Sequence, residues 1–224
     1  MTAGKDSLIK IWEVESGRQI DVLKGHNWDV NSAKCSTDNT KIISGGEDKT
    51  VRVWDASEGK CLKQLKGHTN GVKSVEFSPD GTQILSASKD ETLKIWNISD
   101  FKCQKTLKAH SGAVNCGSYS HDGHDIVSGS ADCSIILWDA NNGTKSKILA
   151  GHLKTVNSVK FSKDKKFVVS GSADHTVRIW DTATGKVDKI LNGHTMEVQS
   201  IIVSKKNDRV VSSGSDKLIK VWDV

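Results

Sequence analysis

Cysteine is scarce in this 224-residue chain and poorly placed for pairing. There are five, Cys35, Cys61, Cys103, Cys116 and Cys133. No two form a CxxC pair and none stands at a His spacing suited to zinc, so no metal site is expected. Reduced thiols in an intracellular protein, cytoplasmic or nuclear, are the expectation. The opening MTAGKDSL has no apolar run of signal-peptide length, and no run anywhere is long enough to cross a bilayer, so no membrane partner is expected. Aromatic residues make up 5% of the chain, too few for a platform on which bases stack, and nucleic acid is not an expected partner. A sustained helical period is also missing. Neither a GxxxxGK[ST] phosphate loop nor a strand-to-helix GxGxxG occurs, and no carboxylate pair stands apart as an acid/base couple; no cofactor is expected. The net charge of +5 spreads Lys and Arg among Asp and Glu, a mild bias that serves solubility.

What the chain has is repetition. DKTVRVWD, from Asp48 to Asp55, returns as DETLKIWN at Asp90, DCSIILWD at Asp132, DHTVRIWD at Asp174 and DKLIKVWD at Asp216, with DSLIKIWE at Asp6. Trp12, Trp54, Trp96, Trp138, Trp180 and Trp222 each follow the last by 42 residues. A fixed period near 40 is the signature of a repeat architecture.

The unit from Glu15 to Ala56 reads as four short strands. IDVLKGH ends at Gly25-His26, a second strand runs from about Val30 to Ser36, KIISGG is the third, and TVRVW follows a tight turn at Asp48-Lys49. These runs are rich in Val, Ile and Leu and bounded by Gly, Ser, Asn and Asp, the pattern of strands. The turn after the second strand is SPDG at Ser78 and SHDG at Ser120, drifting to SKDK at Ser162 and SKKN at Ser204. Gly17, Gly59, Gly143 and Gly185 follow the Trp strands, but the third unit has Phe101 there. A bulky residue at that point must take a costly positive φ or change the turn.

The residues GH, SGSAD and WD resemble the WD-repeat (WD40) β-propeller family, in register along the whole chain (Ala109-His110 being the one AH). The resemblance implies an all-β fold of four-stranded antiparallel blades around a central channel. It also implies that each outermost strand is supplied by the start of the next unit. The expected organisation is one domain over residues 1–224, with a partial unit 1–14 and full units 15–56, 57–98, 99–140, 141–182 and 183–224. That gives two strands of a first blade, four full blades and three strands of a last: about five and a half blades, an incomplete, N-terminally truncated form of the family's usual seven-bladed ring. Closure as a smaller ring, or pairing of open edges between chains, are the alternatives.

His26, Ser44, Asp48 and Trp54 recur as a set: His68, Ser86, Asp90, Trp96; His110, Ser128, Asp132, Trp138; His152, Ser170, Asp174, Trp180; His194, Ser212, Asp216, Trp222. The partial unit keeps Thr2, Asp6 and Trp12 without a His. Ser, His and Asp also make a nucleophilic triad. Five copies argue against catalysis, because an active site needs one pocket and a scaffold needs the same joint in each blade. Trp to Ser to His to Asp is already a satisfied hydrogen-bond chain, the network for which the family is known, and no enzyme is expected.

Function is then expected where the units differ. By the resemblance, the loop after GH and the turn before the Trp strand share a face that commonly holds peptides. Its variable positions are Asp29, Asn31 and Glu47; Gly71, Lys73 and Lys89; Ala113, Asn115 and Ala131; Thr155, Asn157 and Ala173; Glu197, Gln199 and Ser215. Acidic groups at Asp29, Glu47 and Glu197 would suit a peptide carrying Lys or Arg. Trp28, the tryptophan outside the period, aligns with Asn70, Gly112, Lys154 and Met196. It is either a binding hot spot or a ring folded onto the neighbouring blade. On the opposite face Lys163, Lys165, Lys166, Lys205, Lys206 and Arg209 are either a basic patch for an acidic peptide or nucleic acid, or a solvated Lys-rich turn. The expected function is a non-catalytic scaffold docking other proteins or peptides within a complex. The alternative is a ubiquitin-ligase substrate receptor or adaptor, or a histone-tail reader.

Overall fold

The computed structural model describes residues 1–224, which form 22 β-strands and no helix. Two compact units divide the chain, Met1–Thr106 and Leu107–Val224. In the first, β1 (Thr2–Ala3), β2 (Leu8–Trp12) and β3 (Gln19–Lys24) make a three-stranded sheet. A four-stranded sheet follows, of β4 (Val30–Cys35), β5 (Lys41–Gly46), β6 (Val51–Asp55) and β7 (Cys61–Leu65). Next come β8 (Val72–Phe77), β9 (Gln83–Ser88), β10 (Thr92–Asn97) and β11 (Cys103–Lys108), the boundary between units falling within β11. The second unit holds β12 (Val114–Tyr119), β13 (Asp125–Ser130), β14 (Ile135–Asp139) and β15 (Lys145–Leu149) in one sheet. Its next sheet is β16 (Val156–Phe161), β17 (Phe167–Ser172), β18 (Val177–Asp181) and β19 (Val187–Leu191). Last come β20 (Val198–Val203), β21 (Arg209–Gly214) and β22 (Ile219–Asp223). Neighbouring strands are antiparallel. The strand β1, pairing Thr2 with Lys10 and Ala3 with Ile9, is one more than the sequence count; two residues are too short to show a pattern.

Burial runs from the middle of each sheet outwards. Five of the six residues of β5 are buried, because both faces of that strand are covered. The outer β7 is more open, with Leu62 and Lys63 exposed and only Leu65 buried. Successive sheets within a unit share cores: Ile43, Val51, Val53 and Leu65 pack with Val72, Val75, Ile84 and Trp96 of the next sheet. Close approach there depends on glycine. A Cβ on Gly45 would lie 2.5 Å from Val72 Cγ1, and one on Gly171 2.6 Å from Val198 Cγ1.

Two backbone features bear on the turns and strand ends. The first is a β-bulge in the first strand of the five later sheets, where the register slips between Val30 and Ser32, Val72 and Ser74, Val114 and Cys116, Val156 and Ser158, and Val198 and Ser200. The bulged residues are Asn31, Lys73, Asn115, Asn157 and Gln199, and a bulge re-aims its side chain. The second concerns positive φ. Phe101 adopts φ +60°, matching Gly59 at +65° and Gly143 at +77°, so the turn is kept and the side chain bears the strain. Phe101 remains because its ring packs, with Ile98 and Phe77, against the core of that sheet. Lys165 and Asn207 likewise hold φ +60° and +61° where Gly81 and Gly123 stand in other units.

Candidate partner-binding face

The recurring polar set lies at the end of each sheet where the GH loop meets the Asp turn. In the sheet β4–β7, His26 Nδ1 donates to Asp48 Oδ2 at 2.9 Å and Nε2 stands 2.7 Å from Ser44 Oγ. Trp54 Nε1 donates to the same oxygen at 2.8 Å. Indole N–H only donates and carboxylate only accepts, so the network assigns the order: Trp54 to Ser44, Ser44 to His26, His26 to Asp48. His68 meets Asp90 and Ser86 at 2.7 and 2.8 Å, with Trp96 on Ser86 at 2.8 Å. For His110 the distances to Asp132 and Ser128 are 2.9 and 2.8 Å, with Trp138 on Ser128 at 2.8 Å. His152 stands 2.7 Å from both Asp174 and Ser170, and Trp180 reaches Ser170 at 2.8 Å. His194, Asp216, Ser212 and Trp222 repeat it, each bond 2.8 Å. In the first sheet Trp12 Nε1 donates to Thr2 Oγ1 at 2.9 Å.

The electrostatics follow from this geometry. Burial pushes His26, His68, His110 and His152 below their ordinary 6.5, against the pull of their Asp partners. Burial also pushes the Asp48 carboxyl up, but hydrogen bonds from Thr50, His26 and the Asn27 backbone outweigh it and hold it below 3.8. The ring is therefore neutral and the carboxylate ionised near neutrality. The five serine hydroxyls are buried, so no substrate carbonyl reaches them. A nucleophile needs access to its substrate and an oxyanion site beside it.

The variable residues divide on inspection. Asn31 Nδ2 donates to Val72 O at 2.8 Å and Glu47 Oε1 at 3.0 Å. Asn115 reaches Val156 O at 3.1 Å and Asn157 reaches Val198 O at 2.9 Å. These amides stitch a sheet to the next, as the bulge directs them to do. Gln199 turns instead to Ser215 Oγ at 2.9 Å and Glu197 Oε2 at 3.2 Å. Glu47 is engaged by Lys89 Nζ at 2.9 Å. Burial raises the Glu47 pKa, yet Lys89, Asn31 and the nearby charge of Lys73 leave it lowered overall. In the first unit Glu47 is thus internally paired and the capacity for a basic ligand rests on Asp29; in the second, the exposed Glu197 meets only the neutral amide of Gln199.

The apolar members stand out. Trp28 is 67% exposed at a cleft of about 730 Å³ lined by Asn27, Asp29, Glu47, Asp48 and Lys49. Its ring faces water. In the second unit Leu153 is 81% and Met196 51% exposed in the equivalent loops. Sequence reasoning missed Leu153. Its signal was an apolar residue directly after GH, where the other units carry Asn27, Thr69, Ser111 and Thr195.

The basic turns also sort. Lys165 Nζ binds Asp122 at 2.7 Å and Asp125 at 2.8 Å, Lys166 lies 3.8 Å from Asp164, and Arg209 lies 3.5 Å from Asp223. Lys163 and Lys205 instead line a cleft.

A family model described as WD40, "WD domain, G-beta repeat", matches residues 17–55, 59–97, 101–139, 143–181 and 185–223. No curated protein matches the chain.

Proposed function

The chain belongs to the WD40 repeat family, whose members are generally protein-interaction scaffolds, and from that premise we propose that it is a non-catalytic scaffold docking peptide or protein partners at the GH-loop end of its sheets. The exposed indole of Trp28 beside its cleft is the observation that carries this reading. A ring held mostly in water adds little to folding, whereas Trp is enriched among residues that dominate binding energy. A Lys or Arg side chain laid on the indole face, with Asp29 alongside, is the contact the cleft suits. Among narrower roles, a reader of basic tails, such as histone tails, fits this contact. A ubiquitin-ligase adaptor role draws no specific support from it. The five free thiols support an intracellular setting, cytoplasmic or nuclear.

Trp28→Ala tests the reading. Captured partners should be lost while the melting temperature moves by no more than about 2 °C, as for a surface substitution. A large fall in melting temperature, or unchanged capture, would contradict it.

A second reading rests on a different observation. The strand β22 pairs with β21 on one side, and Ile219 and Val221 on it are 75% and 60% exposed. The equivalent Val51 and Val53 on β6 are buried. The unpaired backbone edge of β22, together with this uncovered apolar face, is a template for association, and we propose that it supports edge-to-edge self-association.

A further inference from the structure

The second unit contains a cleft of about 470 Å³ at the C-terminal ends of β12, β16 and β20, the ends remote from the GH loops. Tyr119, Phe161 and Val203 form its apolar part, and Lys160, Lys163, Lys205 and His121 its polar rim. No Asp or Glu lines it. The nearby carboxylates are engaged elsewhere: Asp122 and Asp125 by Lys165 of the next sheet's turn, and, within their own turns, Asp164 by Ser162 Oγ at 2.7 Å and Asp208 by Ser204 Oγ at 2.7 Å. Lys160 is held at the wall by a 2.9 Å hydrogen bond to Ser118, while Lys163 and Lys205 are exposed.

This is not a by-product of the repeat. The corresponding cleft in the first unit, at the ends of β4 and β8, is about 250 Å³ and sets Lys34 against Glu76. At the positions of Lys163 and Lys205 the first unit has Thr37 and Pro79. One scaffold thus carries a balanced cleft in one unit and a cationic one in the other.

The geometry points to a binding site for a short acidic peptide segment in the cleft between β12, β16 and β20, with Asp or Glu side chains on Lys163 and Lys205 and an apolar side chain against the half-buried Val203. The volume lies in the range that holds a few side chains. Nucleic acid fits less well: Tyr119 and Phe161 are buried, so no aromatic face is presented for a base to stack on. The site is independent of the Trp28 cleft.

The test is fluorescence anisotropy with two probes, a fluorescein-labelled heptapeptide of sequence GDELDEG and a labelled oligo(dT). The peptide should bind, and binding should weaken when salt is raised about fourfold. K163E/K205E should bind at least about tenfold more weakly with unchanged circular dichroism. Lys166→Glu, outside the cleft, and Trp28→Ala should bind as the parent does. The single variant Lys205→Ala, expected about threefold weaker, serves if the double charge reversal misfolds. Peptide binding that is absent, insensitive to salt, or equal in the parent and K163E/K205E would overturn the site. Tighter binding of oligo(dT) than of the peptide would overturn the assignment of its ligand.

Discussion

Removing one hydroxyl, Ser86→Ala, should destabilise the first unit by about 2–6 kcal/mol. Ser86 Oγ receives the Trp96 indole proton at 2.8 Å and stands 2.8 Å from His68 Nε2. Both partners are buried, so alanine leaves a donor and an acceptor without water or protein, and each orphaned group costs about 1–3 kcal/mol. The repeats supply internal controls. In the same unit Thr2 is exposed and Trp12 is 37% exposed, so water replaces the lost hydroxyl and Thr2→Ala should cost under about 0.5 kcal/mol. In the second unit Ser128→Ala and Ser170→Ala should match Ser86→Ala, because Trp138 and Trp180 are buried. Ser212→Ala should cost only about 1 kcal/mol, since Trp222 is half-buried and water reaches it. Urea unfolding followed by tryptophan fluorescence would measure all five. If Thr2→Ala cost as much as Ser86→Ala, or Ser212→Ala as much as Ser170→Ala, orphaned buried partners would not be the cause.

Three further outcomes follow from the structure. Histidines held below 6.5 take up protons on unfolding, so their contribution is complete above that pH and is lost as pH falls below it. Stability should therefore begin to fall as pH drops below 6.5, each of the four groups adding to the slope. Onset only below pH ~4, where ordinary carboxylates titrate, would refute the neutral-ring assignment. At the strained turn, Phe101→Gly and Phe101→Ala lose the same ring packing, but only glycine relieves φ +60°. The alanine variant should therefore be less stable by about 1 kcal/mol, reversing the usual order, and equal stabilities would show that no strain resides there. A charge on the open edge, Val221→Lys, should abolish any concentration-dependent dimer seen by sedimentation; a dimer that persists would place the contact elsewhere.

The strands and the His–Ser–Asp–Trp set were legible because each is repeated, and repetition separates scaffold from the rest. The bulge at Asn31, Asn115 and Asn157 was not. It changes backbone register without changing residue type, and at these bulges the amides reach the next sheet. The acidic character of Glu47 was overestimated for the same reason: its partner Lys89 lies 42 residues away, one unit on. Leu153 was hidden because it depends on comparing one position across all units; the basic turns were legible, but not which of their lysines, Lys163 and Lys205, line a cleft. Lys165 shows the limit of charge counting. It belongs to a Lys-rich turn, yet its ammonium is held between Asp122 and Asp125.

The central claim separates joint from docking surface: the repeated set holds the sheets, and the residues that break the repeat hold the partner. Measuring partner capture and melting temperature together for Trp28→Ala and Ser86→Ala tests it most directly. Trp28→Ala should lose capture at unchanged melting temperature, and Ser86→Ala should melt several degrees lower yet capture normally below its transition. Capture that survives Trp28→Ala, or that is lost in folded Ser86→Ala, would contradict it.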